Sequence, residues 1–162
     1  MSESDPSLIT SRGGFQDALR QAFSEAAAVG CRELWLCDPN FDDWPLGEQA
    51  VVEHLTQWAG AHRRLTLLAH SFDEVARRHS RWVQWRQVWS HVVHCRTNDE
   101  LEQGAFPTLL LAPGLLNITL SDAVHSRGRV SRDEADAVRC RERIDAVLQR
   151  SQESFPATTT GL

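Results

Sequence analysis

The sequence predicts an α/β fold, a mixed β-sheet of about five strands flanked by helices. Three observations predict it. Apolar residues recur at helical spacing near both ends of the chain, and short apolar runs bounded by Gly, Pro and Asp lie between them. These runs alternate with helical segments early and follow one another later. Early alternation implies parallel strands joined by right-handed crossovers, and the later succession implies antiparallel neighbours.

Residues 1–12 lack periodicity and carry Ser, Asp and Pro, which predicts a disordered N-terminal arm. Residues 13–153 are expected to form the single α/β domain, and residues 154–162 a tail. In the first helix Phe15, Ala18, Leu19, Ala22, Phe23 and Ala26 share a face, and Gly30 ends it. Leu34 to Cys37 form a buried strand ending at Asp38-Pro39. Val51, Leu55 and Trp58 then give a second helix its sheet-facing stripe. RRLTLLAH is the second strand, and Ser71 with Glu74 has the pattern of a capping box opening a third helix. That helix runs to Trp89 with a break near His79-Ser80. VVHCR, FPTLLLAP and NITLS complete the strands, the last two joined at Pro113-Gly114. Ser131 and Glu134 have the spacing of a second capping box, at the start of the last helix.

With 162 residues and a net charge of −5, the chain is long enough for one self-sufficient core and acidic overall. That balance makes nucleic acid an unlikely partner on charge grounds alone. All 17 basic residues are arginine, so P-loop and Schiff-base chemistry, which need lysine, are excluded. The polar, acidic start and the lack of any apolar run near membrane-spanning length predict a cytoplasmic protein without membrane contact. Cys31, Cys37, Cys95 and Cys140 show no CxxC pair and are expected to be buried thiols. No cofactor, metal set or catalytic residue is assigned. Asp38, Asp42, Asp43 and Glu48 crowd one loop, which reads as an acidic helix entry.

RHSRWVQWRQVWSHVVHCR holds half of the six tryptophans and no acidic residue. Trp82, Trp85 and Trp89 share one helical face. That face is either core, a homodimer seam, or a docking surface for another protein. A ligand site is expected beyond the carboxyl ends of the parallel strands, lined by Asp38, Trp44 and His70 with Arg81 and Arg86 nearby, and His94 and Arg96 complete the expected ligand-binding set. Arginine forks there favour an anionic or phosphate-bearing ligand.

From Glu33 to Asp122 the order of elements resembles one half of the phospholipase D-like fold. In GLLNIT, Gly114, Asn117 and Thr119 match the Gly-Ser-x-Asn-x-Thr signature of that family, with Leu115 in place of serine. A tail like FPATTTGL is also similar to that of uncharacterised proteobacterial domains. The resemblance implies a homodimeric scaffold. Its His-x-Lys-x4-Asp motif is missing from FPTLLLAP, and the other candidate, His94-Cys95-Arg96, has Leu101 at the Asp position. The expectation is therefore a non-catalytic binding or interaction protein. A divergent homodimeric phosphodiesterase using His94 and Arg96 is the alternative.

Overall fold

Alternate side chains of one strand serve two different cores. Leu34 and Leu36 belong to a large cluster with four helices, whereas Trp35 and Cys37 belong to a smaller cluster with one. That division of a strand between two faces is the pleat of a sheet sandwiched between layers. The protein, described over residues 7–156 by a computed structural model, follows this plan throughout.

In chain order the elements are β1 (Ser7–Ile9), α1 (Arg12–Val29), β2 (Glu33–Cys37), α2 (Gln49–Trp58), β3 (Arg64–Ala69), α3 (Val75–Arg78) and α4 (Ser80–Val88). Then come β4 (Val93–Thr97), β5 (Thr108–Ala112), β6 (Leu116–Asp122), β7 (Arg127–Ser131), α5 (Glu134–Leu148) and β8 (Gln152–Glu153). One eight-stranded sheet results, in the order β1-β7-β6-β5-β2-β3-β4-β8. β2, β3 and β4 are parallel and the other pairings antiparallel, so the sheet is mixed as expected. It has more strands than the five expected. β1 and β8 are too short to show a period, and β7, Arg-Gly-Arg-Val-Ser, reads as polar. Part of the presumed arm is thus an edge strand. Residues 1–6 and 157–162 lie outside the described residues.

α1, α2, α3 and α4 supply buried side chains to the large cluster on one face. α5 alone serves the other, through Cys140, Ile144 and Val147. Local chemistry sets the helix ends. Ser11 caps α1 by accepting the Gly14 N–H at 3.0 Å. At α5 the cap is Asp133, not the Ser131 expected from sequence: Asp133 accepts from the Ala135 N–H, while the Ser131 hydroxyl donates to Asp136 at 2.7 Å. The break at His79 is present, and its ring is tied to the Phe41 carbonyl at 2.8 Å. Ser71 accepts the Asp73 N–H, yet regular helix begins only at Val75.

At Gly128 the β6–β7 ladder leaves no room for a side chain, since a Cβ there would run into the Thr119 carbonyl and the Leu120 backbone. Gly128→Ala should therefore destabilise the fold by about 3 kcal/mol or more. Chemical denaturation of the two proteins checks this, and an unchanged midpoint would contradict the close approach.

Candidate functional site

At the carboxyl end of β2, where a ligand site was expected, the Asp38 carboxylate is tied into the protein's own loop. Asp38 is buried, and its oxygens accept the Asn40 N–H at 3.1 Å, the Phe41 N–H at 2.7 Å and the Thr108 hydroxyl at 2.7 Å. Burial raises its pKa, and the Thr108 bond then works in the opposite direction. These bonds fold the loop after β2 inward, so that Phe41 meets Trp44 edge to face at 5.0 Å and stacks over Phe72 at 6.2 Å. Trp44 is 2% exposed, and His70 lines none of the larger cavities. Arg81 extends back to the Gly47 carbonyl at 2.8 Å. Asp38 and Trp44 are therefore packed into this loop, whereas Arg81 is exposed on α4 and is tied to the loop through Gly47.

The tryptophan face is core. Trp82 is 0% exposed and Trp85 7%, the latter donating to the Thr56 hydroxyl at 3.0 Å, with Trp89 stacked on it and half-buried. The homodimer seam and the Trp-docking surface are thus both overturned, because α4 uses this face to cover the β3–β4 side of the sheet.

Two arginine-lined cavities lie near opposite edges of the sheet. The first, of about 560 Å³, is a groove between α5 and the β6–β7–β1 end. Arg127 and Arg129 on β7 and Arg139 and Arg143 on α5 surround it, against a single acidic residue, Asp136. Asp136 pairs with Arg129 at 2.8 Å and with Arg139 at 2.5 Å. Hydrogen bonding from Ser131, then from Arg139, holds its carboxyl below the ordinary range. Arg127 and Arg143 form no ion pair among the described residues. The floor is polar: Asn117, Thr119 and Ser121 alternate along β6 with the buried Leu116, Ile118 and Leu120. Asn117 is 3% exposed, its carbonyl oxygen faces Cys140, and its amide nitrogen has no partner. Sequence reasoning missed this groove. A signal was available, since seven of the 17 arginines fall within residues 127–150.

The second cavity, of about 490 Å³, follows the edge of β4 where β8 ends, and brings together Arg64, Arg86, His94, Arg96 and Glu153. Three of the expected ligand residues, Arg86, His94 and Arg96, thus converge. Arg96 is occupied by Ser151, donating to its hydroxyl at 2.7 Å and its carbonyl at 2.9 Å. Arg86 is 5% exposed, lies 4.8 Å from the Phe155 ring centroid, and leaves Nε and Nη1 without a partner. Burial lowers its pKa, and burial followed by the Arg64 charge does the same to His94.

No family model matches the chain, and no curated protein matches it. Solved structures do. The fold is shared with TrmBL2. That archaeal chromatin protein, whose structure shows a novel mode of DNA binding, superposes with a TM-score of 0.63 at 9% identity. The match covers 95% of the present chain but 55% of TrmBL2, so the chain spans about half of that protein's length. The expected phospholipase D-like half-domain is overturned, and the similarity to bacterial domains goes with it, since the likeness found is to an archaeal chromatin protein. With it fall the phospholipase D-like ligand-binding scaffold and the phosphodiesterase alternative. The expectation that nucleic acid is an unlikely partner is likewise corrected, because TrmBL2, about half of which this chain spans, binds DNA. Among the described residues no helix is long and apolar enough to cross a membrane.

His79 gives the loop a pH dependence. Burial depresses its pKa from 6.5, with the Phe41 carbonyl bond opposing the shift. The unfolded chain then takes up the proton more readily, so stability is fully present above about pH 6.5 and is lost as pH falls through the folded value. Thermal unfolding should drop by several degrees from neutral pH toward pH 5. In His79→Gln the decline should be shallower, and an equal decline would exclude His79 as its source.

Proposed function

We propose that the chain is a nucleic-acid-binding module and that the groove between β6–β7 and α5 contacts the phosphate backbone. The observation that carries this reading is the convergence of Arg127, Arg129, Arg139 and Arg143 on one cavity with only Asp136 opposing them. Guanidinium forks match phosphate oxygens in pairs, and backbone contacts of this kind supply most sequence-independent affinity. The hydroxyls of Thr119 and Ser121 add neutral polar groups on the same floor. Such groups commonly position a protein on a duplex. The fold shared with a DNA-binding chromatin protein supports the same reading.

The net charge of −5 does not oppose it strongly. At physiological salt, exposed charges more than about 8 Å away are largely screened, so a phosphate in the groove responds chiefly to the arginines around it.

Fluorescence anisotropy with a labelled duplex tests the proposal. A dissociation constant of about 10⁻⁴ to 10⁻⁶ M is expected, with a log–log salt slope near −3 if about three phosphates are neutralised. Replacing Arg127 and Arg143 together by Ala should flatten that slope by about two. Absence of binding at low salt, or a slope indifferent to both arginines, would refute the reading.

A further inference from the structure

Arg86 is unusual among the arginines. Others are exposed or have a hydrogen-bonding partner, as Arg20 has Glu48 and Arg132 has Glu25, whereas Arg86 is buried on α4 with two nitrogens unbonded. The nearest neighbours do not neutralise it. Burial pushes the Cys95 thiol up to about 12, so it stays protonated, and Phe155 offers only its ring face. Glu153 lines the cavity but forms no ion pair with Arg86 among the described residues. A buried cation without a counter-charge is costly in any fold, and truncating such a group to an apolar one is often stabilising. The cost is met when an acceptor enters and completes the hydrogen bonds.

We propose that the cavity along the β4 edge is a carboxylate-binding site in which Arg86 is the primary ligand-contacting residue. The cavity lies at the opposite edge of the sheet from the arginine groove, and the proposal is independent of nucleic-acid binding. A carboxylate fits better than a phosphate. It is planar and presents two acceptors to two donors of the guanidinium. It also carries one charge into a site flanked by Val93, Cys95 and Pro156, where a dianion would lose more hydration. Ser90 and Ser154 supply hydroxyls at the rim, and Arg64 contributes positive charge. Burial and the neighbouring arginines keep His94 neutral at physiological pH, so it serves as a hydrogen-bonding group. Free organic acids and acidic side chains of a peptide present the same group, and the probes distinguish them.

The test is thermal unfolding of the whole chain in chloride buffer with added benzoate, a blocked Glu-containing tetrapeptide, or inorganic phosphate, at matched ionic strength. Benzoate, the peptide or both should raise the wild-type midpoint with saturation, and phosphate should not. Arg86→Met should unfold at or above the wild-type midpoint in chloride and show no response to either carboxylate. In parallel, the Arg86 Nε–H resonance of the wild-type protein is followed during each titration, so the outcome does not depend on the variant folding. A shift of that resonance with carboxylate supports the assignment. An unmoved resonance, a carboxylate response preserved in Arg86→Met, or a phosphate response equal to that of the carboxylates would overturn it. Arg127→Ala/Arg143→Ala should keep the full carboxylate response, which separates this site from the groove.

Discussion

One helix has to cover a face of eight strands. Strands lie about 4.8 Å apart and a helix with its side chains is about 10–12 Å across, so α5 can shield roughly a third of that face. The opposite face has α1, α2, α4 and the short α3 for the same task. Everything particular about the molecule follows from that imbalance. Where α5 lies over the centre, β2 and β5 present Trp35, Cys37, Leu109 and Leu111 to it. At the border of its reach, β6 turns Asn117 and Thr119 toward Cys140 of α5 and leaves Ser121 exposed, while keeping Leu116, Ile118 and Leu120 for the opposite face. A strand so divided is what a half-solvated sheet requires. This polar strip is the floor of a groove whose walls are β7 and α5, and both walls carry arginine.

The charge on those walls is not left over from composition. Asp136 sits between Arg129 and Arg139, so one carboxylate anchors two guanidinium groups and fixes their direction along the groove. Ser131 holds the same carboxylate from below. A chain that is acidic overall can thus present a locally positive, preorganised surface. The average hides it because the compensating acids lie elsewhere, as Glu48 does with Arg20 and Glu25 with Arg132.

Much of the central fold was legible in the sequence. The apolar runs of β2, β3 and β5 are continuous because both faces of those strands are buried, and continuous runs stand out. The break at His79 was also legible. β1, β7 and β8 were not, since β1 and β8 are too short to show a period and β7 is polar, and only pairing with a neighbour makes them strands. The site fared worse for a physical reason. Asp38 sits where α/β ligands usually bind, but its two oxygens are consumed by Asn40, Phe41 and Thr108, a fact that no spacing rule reveals. The Trp82 and Trp85 face was equally ambiguous, because helical spacing alone cannot tell core from interface. Arg86, His94 and Arg96 do meet, although along the edge of β4 and not beyond the carboxyl ends.

The account rests on the arginine-walled groove being the surface that meets phosphate. Amide chemical-shift mapping of the isotope-labelled chain during titration with a short DNA duplex tests this most directly. Perturbations should cluster on β6, β7 and the arginine-bearing turns of α5, around Asn117, Thr119, Arg127, Arg129, Arg139 and Arg143. Perturbations confined to α1, α2 and α4, or to the β4 edge, would contradict it.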